Sequence, residues 1–450
     1  MAAAENPKIP VDIGMADDAG GPGYRTPDPG QATRRDVIKV GGLAGAALAA
    51  GAAGVPGFPP PSPLDVGGVE GDAVNFPNWR SSAEPPSGPL RRPTSPSERI
   101  GFAIVALGRI TLEEVLPALA ECLHARPVAL VSGSPEKARL VAAQYGIPPE
   151  AVHSYEEFER LADNATVRAV YIALPNAMHR EFTLRAAAIG KHVLTEKPMA
   201  NSAEECRDMI GACARAGVRL MVAYRCQYEP VNRAAIALVR EQAIGRLRFI
   251  EATNTQANGP GPQWRYSKRL AGGGALPDIG LYCLNASRAV TGEEPIEVSA
   301  CSFSPPGDDR FREVEESIAF TLRFPSGVLA RCLSSYGAFQ NRSLRLLGDA
   351  GNIELAQAFE YRGQRLFLER RVEQSPGREE RRIRPRNQFA LEIDHFAQCV
   401  RDNLQPHTPG EEGLQDQVVM EAIYRASSDR RPVAIPAPAA STRGVEPTDN

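Results

Sequence analysis

The chain has 450 residues, 43% apolar and 23% charged, enough for two ordinary domains with a substantial core. Its formal net charge of -3 excludes nucleic-acid binding by bulk attraction. Eight cysteines lie scattered with no C-x-x-C pair, and six histidines with no H-E-x-x-H, so no metal site is expected.

Near the N-terminus, Arg34 and Arg35 precede an uncharged run from Val40 to Val55, built only of Gly, Ala, Val and Leu. The run is too short and too weakly apolar for a membrane span. It reads either as a twin-arginine export leader over residues 1–55 or as a flexible Ala/Gly-rich tail. The paired arginines favour the leader. That reading places the protein in the periplasm, delivered folded by the twin-arginine export machinery, with no stable membrane span after processing. Residues 56–98 hold 11 prolines and no hydrophobic periodicity. Such a segment buries too little to repay its ordering. It is a spacer or an extended arm laid on a partner, and the aromatics of "NFPNWR", 75–80, hint at docking.

From Arg99 the pattern changes. "RIGFAIVALG", "PVALVSGS", "VRAVYIALP", "KHVLTEKP" and "VRLMVAYR" read as buried strands, separated by helical stretches that mostly close on glycine. Strands alternating with amphipathic helices call for a parallel sheet covered on both faces. Residues 99–224 are therefore expected to form a Rossmann-type α/β dinucleotide-binding domain. Its fingerprint is imperfect. Ala106, Gly108 and Thr111 stand where three small residues, usually glycines, are wanted. Only Gly108, where backbone approaches pyrophosphate, is kept. Alanine at 106 fits if the turn keeps a negative φ, and Thr111 is either an N-cap or a looser helix–strand approach. At the tip of the second strand no carboxylate waits for ribose hydroxyls; Ser132, Ser134 and Lys137 stand there, with Arg109 beside the glycine. Hydroxyls and cations in that place welcome a 2′-phosphate, which favours NADP over NAD.

After Arg225 the alternation stops. A helix, a strand, a glycine-rich loop and a run of strands joined by "FPSG" and "GDAG" turns follow, then two helices. Residues 225–432 are expected to be an α+β substrate-binding and oligomerisation domain with a large, mostly antiparallel sheet. Residues 433–450 read as a flexible tail. In "DIGLY", Asp278 and Tyr282 are four apart and share a helix face. They are either a cap and a core aromatic or a carboxylate–phenol pair able to exchange a proton with an alcohol.

The segments "ALPNAMH" at 173–179, "GKHVLTEKPMA" at 190–200 and "GGGALPDIGLY" at 272–282 resemble the Gfo/Idh/MocA oxidoreductases over about residues 99–432, and within them the glucose–fructose oxidoreductase group. The resemblance implies roles. Lys197 reaches the reacting carbinol oxygen and Pro198 follows a cis bond. Asp278 orients substrate, and Tyr282 stands where many relatives carry histidine. Leu174, Asn176 and His179 lie in the loop bordering the cofactor, and Glu196 faces the nicotinamide. Trp264 and Arg265 reach the cofactor from the second domain, while Arg225 and Tyr228 lie near sugar and nicotinamide. It also implies an arm that wraps a neighbouring subunit in a homo-oligomer, dimer or tetramer. It implies a retained NADP as well, reduced by one sugar and reoxidised by a second: glucose to its lactone, then fructose to sorbitol. The rival readings are an ordinary sugar or polyol dehydrogenase releasing NAD(P)H, and a non-catalytic sugar- or nucleotide-binding protein.

Overall fold

A computed structural model describes residues 68–70, 73–75, 94–261, 263–373 and 375–447. The twin-arginine region and most of the proline-rich arm lie outside the described residues. The chain divides into two compact units, 1–89 and 90–450. In the first, β1 (Gly68–Glu70) pairs antiparallel with β2 (Ala73–Asn75), so this part of the arm is a small ladder rather than a fully extended chain.

The second unit opens with a six-stranded parallel sheet. Its strands are β3 (Ile100–Val105), β4 (Ala125–Val131), β5 (Val152–His153), β6 (Val167–Ile172), β7 (His192–Glu196) and β8 (Leu220–Ala223). They run in the order β5-β4-β3-β6-β7-β8. The order reverses between β3 and β6, and ligands of such sheets bind outside the carboxyl ends of the strands at that reversal. The strands are buried on both faces, which is why they read as continuous apolar runs. Around them lie α1 (Leu116–Glu121), α2 (Pro135–Tyr145), α3 (His179–Ala188) and α4 (Ala203–Ala216). Ser134 and Ser202 cap α2 and α4 by accepting the amides of Lys137 and Glu205, and Gly146 and Gly217 end them at φ +65° and +68°. Before α1 the chain makes a π-turn over Thr111–Val115. Pro117 lacks the amide an α-helix would need one turn earlier, and the wider turn absorbs the mismatch.

The remainder builds a nine-stranded sheet from β9 (Leu247–Thr255), β10 (Glu297–Phe303), β11 (Ser317–Arg323), β12 (Leu329–Ser335), β13 (Asn341–Gly348), β14 (Gly351–Ala356), β15 (Arg365–Val372), β16 (Ser375–Arg381) and β17 (Val433–Ala434). The order is β16-β15-β14-β13-β9-β12-β11-β10-β17, antiparallel except for the parallel β9–β12 pair. Helices α5 (Pro230–Arg240), α6 (Lys268–Ala271) and α7 (Leu281–Thr291) belong to this half. Alternate residues such as Ile318, Phe320 and Leu322 point into a core continuous with that of the first sheet.

The last helices, α8 (Gln388–Asp402) and α9 (Gly410–Asp429), bridge the two halves: α9 lies along β10 of the second sheet, where Ser427 meets Ser302, and against α4 and β8 of the first. Asp394 accepts the amides of Leu123 and His124, and Thr408 donates to the Val222 carbonyl. One expectation needs correcting: residues 433–447 are not a free tail. β17 covers the exposed edge of β10, Thr442 donates to Glu294, and Glu446 pairs with Arg240.

Candidate active site

The cleft lies between the carboxyl edge of the parallel sheet and the nine-stranded sheet. Strand β7 ends at Glu196, and the Lys197–Pro198 peptide that follows is cis. The Lys197 Nζ donates to the Asp278 carbonyl at 2.8 Å, lies 3.4 Å from Asp278 Oδ1, and stands 4.8 Å from the centre of the Tyr282 ring.

Asp278 sits in a second π-turn, Leu276–Gly280, that leads into α7. Its Oδ2 accepts from Arg265 Nε at 2.9 Å and from the Tyr336 hydroxyl at 2.8 Å. Burial works to raise its pKa. The Arg265 and Lys197 cations and the two hydrogen bonds win, holding this carboxyl well below the usual range and therefore ionised. Among the described residues the carboxylate takes its bonds from these three groups and not from the Tyr282 phenol. The i, i+4 pair is thus joined through Lys197 rather than directly.

The Tyr282 phenol is pushed up by burial, and the Arg225 cation works in the opposite sense. Arg225 is buried with its guanidinium 4.8 Å from the Tyr282 ring and 4.5 Å from the Tyr361 ring. It donates to the carbonyls of Phe359 and Glu360 and to Gln388. Two cations therefore flank one neutral phenol. Glu196 accepts from the Tyr171 hydroxyl at 2.8 Å, and burial raises its pKa. Near it, Glu392 of α8 is fully buried, has no hydrogen-bond partner among the described residues, and is pushed well up by burial and by the charge of Glu196.

The cleft brings together Arg109, Leu174, Asn176, Glu196, Lys197, Arg225, Trp264, Arg265, Asp278 and Tyr282. Asn176 donates to the Ala271 carbonyl and ties the two halves, while Arg265 stacks on Trp264. Arg109 is exposed at the mouth, paired with Glu113.

Other expected residues lie elsewhere. Tyr228 is core: its hydroxyl meets Thr408 at 2.9 Å and its ring packs on His395, so it does not face the cleft. His179 is fully buried, its ring nitrogens 2.9 and 2.8 Å from the carbonyl oxygens of Pro198 and Leu174, and so staples two cleft loops from behind. Ser132 and Ser134 spend their hydroxyls on loop and helix-cap amides, and Lys137 Nζ donates to the Leu107 carbonyl. These three surround the fingerprint turn rather than line the cleft.

In that turn Ala106 adopts φ +78°, against the negative φ expected, and Thr111 is buried with its hydroxyl unpartnered instead of capping the helix. At exposed Gly108 nothing lies within 4 Å of where a Cβ would stand, leaving open backbone at the tip of the first strand. That opening, at the sheet's reversal point, fits a dinucleotide pyrophosphate.

Reading the sequence missed Tyr336, Glu392 and the cleft residues Gln256, Arg342 and Tyr361. Only Glu392 carried a signal, an acid on the apolar face of "FALEIDHF".

Residues 100–224 match the Gfo/Idh/MocA oxidoreductase family, NAD-binding Rossmann fold, and residues 232–354 match the Gfo/Idh/MocA C-terminal domain. The chain is 32% identical over 347 residues to a D-xylose 1-dehydrogenase (NADP(+)) of Haloarcula marismortui, covering 76% of this chain and 95% of that enzyme. It is 43% identical to an aldose–aldose oxidoreductase from Caulobacter crescentus solved with glycerol, with a TM-score of 0.72, covering 75% of this chain and all (100%) of that one. A levoglucosan dehydrogenase solved with NADH and L-sorbose shares the fold at 21% identity, with a TM-score of 0.67 over 75% of this chain and 99% of that one.

Proposed function

The chain belongs to the Gfo/Idh/MocA family of NAD(P)-dependent oxidoreductases, and we propose that it is a sugar dehydrogenase that oxidises a cyclic aldose at C1 to its lactone and releases NAD(P)H. The observation that carries this reading is the convergence of Lys197, Asp278 and Tyr282 at the carboxyl edge of β7. The dinucleotide, when bound, supplies the hydride acceptor. Its pyrophosphate would lie along Gly108 and its nicotinamide end toward Glu196 and Lys197.

The chain's own groups handle the proton. Ionised Asp278 fixes the Lys197 ammonium, which faces developing alkoxide charge on the sugar oxygen. Tyr282, neutral at rest and flanked by Lys197 and Arg225, relays the proton: its oxygen takes the sugar's hydroxyl proton as it passes its own on to solvent, and the two cations stabilise the phenolate character that builds on it. The same group returns the proton when the reaction runs backward. Support for NADP over NAD comes from the absence of a carboxylate at the tip of β4, the cations Lys137 and Arg109 nearby, and the NADP(+) in the name of the xylose dehydrogenase.

A second reading is favoured by the 43% identity to an enzyme named for aldose–aldose exchange: NADP stays bound and passes hydride from one sugar to another. Glucose and fructose as that pair is the sequence expectation, and these relatives do not carry it. Export by the Arg34–Arg35 leader to the periplasm and assembly into a homo-oligomer belong with this second reading, since a compartment without free nucleotide demands a retained cofactor.

One experiment separates the readings: identify any nucleotide that co-purifies, then supply sugars singly and in pairs, with and without free NADP+. Sustained lactone formation from one aldose with free NADP+ is the expected result. Turnover only with sugar pairs replaces the dehydrogenase by the exchange cycle, and no turnover in either arm overturns both.

A further inference from the structure

The turn that presents Asp278 is held from outside the cleft by one residue, Glu315, through its carboxylate and its carbonyl. Three successive amides of that turn all end on Glu315. Gly274 N donates to Oε2 at 2.9 Å, Ala275 N to the Glu315 carbonyl at 3.3 Å, and Leu276 N to Oε1 at 2.8 Å. The first and third of these amides close on the carboxylate and the middle one on the same residue's carbonyl, so one acid fills a cradle of backbone N–H groups. Tyr424 of α9 completes it, donating its hydroxyl to Oε1 at 3.0 Å.

The packing leaves no slack. A Cβ at Gly273 would fall 1.9 Å from the Tyr424 hydroxyl oxygen, and one at Gly274 would fall 1.9 Å from the Glu315 carbonyl oxygen. Gly273 and Gly274 are thus explained by close approach to this clamp, while Gly272 ends α6 at φ +78° beside Asn201. Asn254 adds a bond from the other side, Nδ2 to the Ile279 carbonyl at 3.0 Å. Two residues beyond Leu276, Asp278 holds Lys197 by both its carbonyl and its carboxylate.

We infer that Glu315, with Tyr424, is a positioning residue of the active site: by seizing the 274–276 amides it fixes where Asp278 stands and, through Asp278, where Lys197 points. The inference rests on the reading of Lys197 and Asp278 given under the proposed function.

Glutamate is required rather than glutamine. Three donors converge on its two side-chain oxygens and a fourth on its carbonyl, and an amide NH₂ would turn a donor against an N–H. Displacing a positioning group by about an ångström costs up to about 100-fold in rate. The test is a double-mutant cycle on the full chain, using Glu315→Gln, Tyr424→Phe and Asp278→Asn with NADP+ and the best aldose.

Glu315→Gln should lower kcat by about 10- to 100-fold while NADPH affinity, read by fluorescence titration, changes by less than about twofold. In the Asp278→Asn background the same change should cost nothing further, because the clamp acts through Asp278. Full kcat in Glu315→Gln, or losses that simply multiply in the double variant, overturns the inference. If Glu315→Gln does not fold, Tyr424→Phe carries the cycle: it removes one donor and no backbone support, and its smaller kcat loss must likewise vanish in the Asp278→Asn background. If the wild type oxidises no sugar, the functional reading falls, and hydrogen exchange then decides the clamp. Faster exchange at the Gly274 and Leu276 amides in Tyr424→Phe supports it, and unchanged exchange there overturns it.

Discussion

Lys197→Met keeps the length of the stem and removes only the ammonium. In the cleft that ammonium lies 4.8 Å from the centre of the Tyr282 ring, with its side chain only 11% exposed. At an effective dielectric of about 20, a unit charge at this separation stabilises an anion on the ring by about 3–4 kcal/mol. If the phenol carries the proton, most of that stabilisation is lost where charge develops, which is a slowing of roughly 100- to 1,000-fold. Arg225, at the same 4.8 Å, remains and keeps the loss from being total. The fold should persist, because Asp278 keeps Arg265 and Tyr336 as partners. The assay is single-turnover reduction of NADP+ by saturating aldose, with NADPH affinity measured beside it. A hydride step within about threefold of wild type would refute the reasoning, since the electrostatic term would then be absent.

Three further outcomes follow from the same geometry. Ala106→Gly should stabilise the protein: the left-handed conformation at φ +78° costs an L-residue about 1–2 kcal/mol, and glycine's extra unfolded freedom returns about 0.5–1, leaving up to about 1.5 kcal/mol as a higher urea midpoint. An unchanged or lower midpoint contradicts this. Because the folded state depresses the Asp278 pKa, its contribution is present above the unfolded value of about 3.9 and is lost as pH falls below it. The stability gap between wild type and Asp278→Asn should therefore be widest near neutrality and close in acid; a gap that widens in acid contradicts the assignment. Arg288→Met should cost about 3–5 kcal/mol by urea denaturation, because it strands Glu294, Glu412 and Asp416 around a fully buried guanidinium site, and a cost under about 1 kcal/mol would show that they find other partners.

How much of this was legible depended on whether the signal was local. The parallel sheet was readable because strands buried on both faces write themselves as unbroken apolar runs, and "FPSG" and "GDAG" announced the hairpins of the second sheet. Strand β16, "SPGREER", was not, because a charged edge strand owes its pairing to its neighbour rather than to its own composition. The motif residues Lys197, Asp278 and Tyr282 stood out, but their joining through Lys197 did not, since it needs the crossing of two distant loops. Tyr336, Glu315 and Glu392 escaped for the same reason: each acts from a strand end or a helix whose local pattern says only that it packs. His179 and Tyr228 misled in the opposite sense. Each lies in a motif beside the cleft, but its side chain turns behind the wall, where carbonyls or Thr408 take its polar atoms. The C-terminal residues 433–447 looked like a tail because two strand residues and a few side-chain bonds leave no periodicity to read.

The central claim is that this cleft moves hydride from C1 of a sugar while the chain's own residues take the proton. The most direct measurement supplies a C1-deuterated aldose to the protein with NADP+ and follows the label by NMR. The account predicts deuterium in the reduced nicotinamide, an unlabelled lactone, and a slowed hydride step. Failure of every cyclic aldose to transfer its C1 label, in a protein shown to bind the dinucleotide, would contradict it.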